Sequence, residues 1–248
     1  MSSLEALRVE GLTKHFGGLV ALNKVTLQVD KGELVGLIGP NGSGKSTFFN
    51  CVSGFYVPDE GRVYLDRKEI TGHPMEQICE SGLYRSFQIP RAFRELSVLQ
   101  NVLLSQPHRT ESLVDVLFRK TSESLVKRAK EYIDFVGLSP LIGEPAGNLS
   151  GGQQKLLELA SALMKNPEMI LLDEPMGGVN PTLINKIIDL ILEVNRSGKT
   201  FLVIEHNMEV IMGIAQRLYV LDHGMLIARG KPEEIRNNDE VLEAYFGK

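Results

Sequence analysis

The sequence has few cysteines, no long apolar run and no excess of positive charge, and each shortage excludes a class of protein. Cys51 and Cys79 are its only cysteines. They form neither a metal-ligand pair nor a disulfide framework, and they fit a reducing compartment. No stretch approaches the ~18 consecutive apolar residues of a membrane span. Residues 1–10 carry charges at Glu5, Arg8 and Glu10 and lack an apolar core, so they do not read as a secretory signal. With 27 Lys and Arg against 31 Asp and Glu, the formal charge is -4. A nucleic-acid binder carries a basic domain or stripe instead, so no nucleic-acid partner is expected. There is no internal repeat, low-complexity tract or long linker. The expectation is a cytoplasmic chain that reaches a membrane, if at all, through a partner.

What is present is ordinary globular material. The chain has 248 residues, 43% of them hydrophobic, which suffices for one or two domains with a sizeable core. Short apolar runs at 34–38, 169–172 and 201–204 end in Gly or ionisable residues. They read as strands buried on both faces, as in a parallel sheet. Between them, three sets of apolar residues follow helical spacing. These are Val126, Ala129, Tyr132, Ile133 and Val136; then Leu156, Leu159, Ala160 and Leu163; then Ile184, Ile187, Ile188 and Ile191. Asn180 and Pro181 supply an N-cap and a first-turn proline for the third helix. Strands alternating with helices predict an α/β fold. Residues 7–10, 25–29 and 62–65 read as half-exposed strands of a smaller antiparallel layer. Residues from about 91 to 163 read as an inserted helical subdomain, and residues 232–248 as a helical tail.

The strongest chemical signal is Gly39-Pro40-Asn41-Gly42-Ser43-Gly44-Lys45-Ser46, which fits the phosphate-loop pattern G-x-x-x-x-G-K-[ST]. It follows a buried strand and precedes a helix, the context that pattern requires. Glycines let the backbone curl until its N–H groups face phosphate oxygens, and the helix N-terminus adds positive potential. Lys45 is expected at the β- and γ-phosphates and Ser46 on Mg²⁺. A second apolar run delivers Asp173 and Glu174 to a strand's carboxyl end, where open α/β sheets bind ligands. One carboxylate suits a metal ion, the other a water. A third run ends in Glu205 and His206. A lone histidine is more often structural than catalytic, but this one is expected to share an edge with Asp173 and Glu174. Leu149-Ser150-Gly151-Gly152-Gln153-Gln154 opens a helix with a natural N-cap, and its glycines would permit close approach to an anion.

Taken together, these motifs resemble the ATP-binding cassette (ABC) family, over nearly the whole chain and in family order. Gly39 through Ser46 resembles Walker A, Leu149 through Gln153 the LSGGQ signature, and residues 169–174 Walker B with its glutamate. His206 is similar to the switch histidine and Gln88 to the Q-loop glutamine. The resemblance implies a single nucleotide-binding domain (1–248): a P-loop ATPase core with a mostly parallel sheet, an N-terminal antiparallel β layer and an inserted helical subdomain. ATP and Mg²⁺ are the implied cofactors. Asn41, Gly42, Ser43, Gly44, Lys45, Ser46 and Thr47 would hold phosphates, and Ser46, Asp173 and Gln88 the metal. Glu174 would act on water and His206 on the γ-phosphate. Phe16 sits where the family places an adenine-stacking aromatic; the alternative is a core phenylalanine.

The resemblance further implies an ATP-dependent head-to-tail dimer, either a homodimer or a pair with a sister ATPase subunit. Ser150, Gly151, Gly152 and Gln153 would complete the partner's phosphate cage. Integral membrane permeases would be direct partners, and a periplasmic or extracellular substrate-binding protein an indirect one. Asn180 departs from the family's usual D-loop aspartate. Within the family the chain looks most like ATPase subunits of branched-chain amino acid importers, peripheral on the inner face of the membrane. An ATPase of a lipopolysaccharide or other lipid exporter is the alternative, with a soluble DNA-repair ATPase further off.

Overall fold

A computed structural model describes residues 4–86, 92–106 and 122–246. The chain divides into two compact units, Met1–Arg85 with Glu168–Glu174 and Ile191–Lys248, and Ser86–Pro167 with Pro175–Leu190.

The first unit is built from two sheets. β1 (Glu5–Phe16), β2 (Leu19–Asp30), β4 (Glu60–Leu65) and β5 (Lys68–Glu69) make an antiparallel sheet in the order β2-β1-β4-β5. The second sheet is made of β3 (Leu34–Ile38), β6 (Leu83–Arg85), β7 (Met169–Asp173), β8 (Thr200–Ile204), β9 (Arg217–Asp222) and β10 (Met225–Gly230). Its strand order is β10-β9-β3-β8-β7-β6. All its pairings are parallel except that of β9 with β10. Every residue of β3, β7 and β8 is buried, which is why their sequences read as unbroken apolar runs rather than alternating ones. Alternation does appear in β2, where Val25, Leu27 and Val29 are buried and the residues between them less so.

Helix α1 (Lys45–Val52) lies in the core these sheets share. Its Phe48, Phe49 and Val52 join Leu7, Leu22 and Val25 of one sheet and Val35, Leu171 and Leu202 of the other in a single apolar cluster. Tyr219 pins the sheets together further: it is 1% exposed and its hydroxyl donates to the Gln28 carbonyl at 2.9 Å. Short helices α2 (Met75–Glu80), α7 (Met208–Ile214), α8 (Pro232–Arg236) and α9 (Asp239–Phe246) complete this unit.

The second unit is helical among its described residues. α3 (Val98–Leu104), α4 (Glu123–Phe135) and α5 (Gly151–Lys165) pack on one another. Ser97, Ser122 and Ser150 each accept a backbone N–H at the N-terminus of the helix they precede, satisfying donors that have no intrahelical partner. Arg128 joins α4 to the end of α5 by donating to the Met164 carbonyl at 2.8 Å. α6 (Pro181–Arg196) starts in this unit and ends in the first. Asn180 caps it, its side-chain oxygen accepting from the Leu183 amide at 2.9 Å. Among the described residues no helix is long and apolar enough to cross a membrane.

Gly36, inside the central strand β3, is there because α7 packs directly over it. A Cβ at that position would meet Leu218 Cδ2 at 2.5 Å and Ile211 Cγ1 at 2.7 Å. We expect Gly36→Ala to destabilise by about 1–3 kcal/mol, the usual cost of overpacking. Combined with Ile211→Val, it should cost less than the two changes summed, because both act on one contact. Urea unfolding of the single and double variants checks this; an unchanged midpoint for Gly36→Ala refutes it.

Candidate functional site

The register of the parallel sheet assembles the site. Ile204 of β8 pairs with Leu37 of β3 on one side and with Asp173 of β7 on the other. The carboxyl ends of three strands are therefore level. The segments that leave them, the loop from Gly39, Glu174, and Glu205 with His206, emerge along one edge. In open α/β sheets this edge is where ligands bind.

The loop after β3 needs glycine where it turns. Gly39 has φ +151° and Gly44 φ +105°; a Cβ would lie 2.0 Å from the Leu221 carbonyl oxygen at the first and 2.6 Å from that of Ala21 at the second. α1 starts immediately after Gly44, so its first amides and the loop share one opening. Asn41, Gly42 and Ser46 are exposed there, Gly44 and Thr47 partly so, and Ser43 is buried. Lys45 is buried, and its ammonium donates to the carbonyls of Gly39 at 2.7 Å and Pro40 at 2.8 Å and to Ser43 Oγ at 3.3 Å. Burial pushes its pKa down, while the charges of Glu174 and Asp173 oppose that shift. The lysine is thus folded back onto the loop's own carbonyls.

Asp173 is 7% exposed. Burial raises its pKa, and the Arg85 guanidinium, 3.3 Å from its Oδ2, pulls it partly back. Glu174 adopts φ +50°, a left-handed conformation uncommon for residues other than Gly and typical of functional sites. Its amide donates to the Ile204 carbonyl at 2.9 Å, and its Oε1 lies 2.5 Å from His206 Nε2. Adjacent in sequence, the two carboxylates therefore have different surroundings: one enclosed beside a guanidinium, the other open to a histidine and solvent. His206 is held in turn by Glu205, whose buried carboxylate accepts from the amides of His206 at 3.1 Å and Asn207 at 3.4 Å.

Phe16 ends β1 with 42% of its surface exposed, so it is not a core residue. Its ring meets Tyr56 edge to face at 5.2 Å, a favourable aromatic geometry. Tyr56 packs against the main core cluster. Lys14 lies 5.7 Å from the Phe16 centroid and ties the strand to the Val57 carbonyl and Asp59. The result is a braced, solvent-facing aromatic surface.

In the second unit, Ser150 and Gln153 form a reciprocal capping box at the start of α5: the Gln153 amide donates to Ser150 Oγ at 3.3 Å, and the Ser150 amide to Gln153 Oε1 at 2.8 Å. The two glycines between them differ. Gly151 faces open space, whereas a Cβ on Gly152 would lie 2.1 Å from Leu183 Cδ2. A side chain on Gly152 would have to displace Leu183 of α6, whereas on Gly151 that side is open. Gln88 lies outside the described residues.

Three polar side chains at this edge have contacts that a reading of motifs does not give. Arg85 ends a strand of three residues, too short for a periodic pattern. Glu205 looks like a second member of an acidic strand end, yet its role is to hold the turn carrying His206. Tyr245 of α9 faces the Gly39 amide, and burial pushes its hydroxyl up to about 12. As for a metal, the available donors are the Ser46 hydroxyl and the Asp173 carboxylate. Hard oxygen donors in small number suit Mg²⁺, which is commonly held by one or two carboxylates plus substrate phosphates. Among the described residues there is no cluster of three or more His, Cys, Asp or Glu that could hold a metal ion by itself.

Comparison with known proteins agrees with this geometry. The chain is 42% identical over 254 residues to the probable branched-chain amino acid transport ATP-binding protein LivG of Methanocaldococcus jannaschii, covering 99% of each chain. It is 41% identical over 249 residues to the high-affinity branched-chain amino acid transport ATP-binding protein LivG of Escherichia coli K12, covering 98% of each. A crystal structure of a nucleotide-free ATP-binding cassette from an ABC transporter superposes with a TM-score of 0.87 at 42% identity, covering 98% of this chain and 100% of that one. The ADP conformation of another such cassette gives 0.87 at 40% identity, covering 99% of this chain and 100% of that one. Residues 225–248 match the branched-chain amino acid ATP-binding cassette transporter family. Residues 22–177, which hold the phosphate loop, the capped glycines and both carboxylates, match the ABC transporter family, and it is to this family of ATP-binding cassettes that the chain belongs.

Proposed function

We propose that this chain hydrolyses ATP to drive import of branched-chain amino acids through separate membrane permeases, working at the cytoplasmic face of the membrane. The observation that carries the ATPase reading is the level register at Ile204, which lines up the phosphate loop, both carboxylates and His206. The cargo reading is supported by the match of residues 225–248 and by the names of the full-length relatives.

In this reading, backbone amides of residues 41–47 and the Lys45 ammonium bind the phosphates. Lys45 exchanges the Gly39 and Pro40 carbonyls for β- and γ-phosphate oxygens, trading neutral acceptors for charged ones. Ser46, Asp173 and Gln88 would hold Mg²⁺, which when bound supplies charge neutralisation at the phosphates. Glu174 orients the attacking water and takes its proton; the water oxygen bonds to the γ-phosphorus as the bond to the bridging oxygen breaks, releasing ADP and phosphate. His206 steadies Glu174 and reaches the γ-phosphate. Catalysis of this type is mostly positioning and electrostatics. Phe16 stacks on adenine. Ser150, Gly151, Gly152 and Gln153 close the phosphate cage of a second ATPase chain, either a copy or a sister subunit. A substrate-binding protein outside the membrane acts through the permeases.

Lys45→Ala should weaken ATP binding by about ten- to a hundredfold, the equivalent of one or two charge-assisted hydrogen bonds, and abolish turnover. Calorimetric affinity equal to the parent's would remove the assigned role.

Phe16→Ala should weaken ATP and GTP alike, since stacking does not read base identity, and Phe16→Tyr should be close to silent. Fluorescent-nucleotide titration distinguishes this from an unchanged affinity in a folded Ala variant, which would make the aromatic surface irrelevant to nucleotide.

Glu174→Gln keeps shape but removes the basic oxygen, so hydrolysis should drop by about 10²–10⁴, the usual worth of a general base, while ATP binding survives. With ATP and Mg²⁺ this variant should accumulate as a dimer in light scattering, and Ser150→Arg added to it should restore the monomer. A Glu174→Gln protein that remains monomeric with saturating ATP speaks against closure between identical chains and for a sister subunit.

A further inference from the structure

Arg85 closes β6 beside β7, and its side chain is only 8% exposed. Nη1 donates to Asn50 Oδ1 at 2.6 Å and to Ser53 Oγ at 2.9 Å, and Nη2 donates to Asp173 Oδ2 at 3.3 Å. The guanidinium also lies 5.8 Å from the Phe49 ring centroid. Asn50 and Phe49 belong to α1, and Ser53 is its C-cap. The cation therefore sits at the carboxyl end of α1, where backbone carbonyls favour positive charge. The other end of the same helix begins with Lys45 and Ser46. One side chain thus fastens the rear of the phosphate-loop helix to the carboxylate on the neighbouring strand.

We propose that Arg85 is a positioning residue that locks Asp173 to α1, so that the Asp173 carboxylate and the Ser46 hydroxyl address one Mg²⁺ as parts of a single rigid piece. The proposal rests on the reading of Asp173 as the metal carboxylate. Mg²⁺ demands near-ideal octahedral geometry and tolerates misplaced ligands poorly. A planar guanidinium presents its N–H groups in a fixed fork, so holding Asn50 and Ser53 with one nitrogen fixes where the other meets Asp173. A lysine ammonium has the charge but no such fork. Charge alone would be a poor reason for an arginine here, since a second cation beside Asp173 competes electrostatically with the metal. Geometry supplies the reason: what the arginine gives is direction.

The test uses the full-length chain and an ATP analogue with an uncleavable β–γ bridge. The analogue-induced rise in melting temperature is followed as Mg²⁺ is titrated. We expect Arg85→Met and Arg85→Lys both to raise the Mg²⁺ concentration at half-effect by about tenfold, equivalent to part of one charge-assisted hydrogen bond. The rise produced by the analogue in EDTA should remain that of the parent. Asn50→Leu, which removes an anchor on α1 but leaves both charges, should shift the midpoint in the same direction and keeps the test open if the Arg85 variants fail to fold. A lower melting temperature with an unchanged Mg²⁺ midpoint would make Arg85 merely structural, and a Lys variant matching the parent would make it merely a counter-charge; either result overturns the proposal. Asp173→Asn separates the two layers. If it shifts the midpoint while the Arg85 and Asn50 variants do not, positioning alone is refuted; if it leaves the midpoint unchanged, the metal reading falls and this proposal with it.

Discussion

Lys45 has left water for the carbonyls of Gly39 and Pro40 and the hydroxyl of Ser43, and the rest of the site is arranged around the cost of that burial. An ammonium removed from solvent is tolerated only with partners, and the partners here are a ring of oxygens from the loop's own backbone and the more distant charges of Asp173 and Glu174. Those carboxylates are constrained in turn. Asp173, enclosed at the end of β7, keeps company with Arg85; Glu174 keeps an open side and pairs with His206. Both carboxylates stand at one sheet edge because the register makes three strands end level there.

The apolar core makes such a charged edge affordable. α1 carries Lys45 at its first position and buries Phe48, Phe49 and Val52 among residues of both sheets, so the loop cannot relax without disturbing the main hydrophobic cluster. Rigidity is also visible where the backbone is least comfortable. Gly39 approaches the Leu221 carbonyl too closely for any side chain, and Glu174 keeps φ +50°, a conformation that persists only where surrounding structure over-determines it. Here the overdetermination is explicit: the amide of Glu174 is held by Ile204, the residue whose neighbours on either side are Leu37 and Asp173.

Legibility from sequence followed the physics of each element. The strands β3, β7 and β8 were plain because burial on both faces leaves no polar interruption, and the helices at 123–135, 151–165 and 181–196 because each has an amphipathic face and the latter two a clear cap. The N-terminal strands are longer than their apolar residues suggest, since β1 and β2 run through exposed positions up to Phe16 and down to Leu19 that only hairpin pairing specifies. β6 and β5 have three and two residues and give no period to detect. The site divides the same way. The phosphate loop and the acidic strand end are contiguous motifs, whereas Arg85 reaches Asp173 across 88 positions and Tyr56 meets Phe16 across the gap between a strand end and the segment after a helix. Pairings of that kind are made by the fold. Gly152 is the instructive case: the sequence shows two adjacent glycines as equals, but the side of Gly152 where a side chain would stand is taken by Leu183, because the helix that follows Asn180 meets the capped one there.

The two candidate anion sites also differ in a way that bears on how they work. The phosphate loop has a buried cation, and α1 behind it adds its dipole. The start of α5 has a hydroxyl, backbone amides and one open glycine. Ser150 and Gln153 already spend their side chains on one another in the capping box, and no basic residue lies in the first turn of that helix. Amide and hydroxyl donors without a cation bind a multiply charged phosphate weakly in water, because the anion gives up more hydration than they return. They become effective once another group has neutralised most of that charge and excluded solvent. Lys45 provides such neutralisation where it stands, so donors like those of α5 are best suited to an anion already held by a phosphate loop. This is the physical case for reading the capped glycines as the second half of a shared site rather than as an independent one.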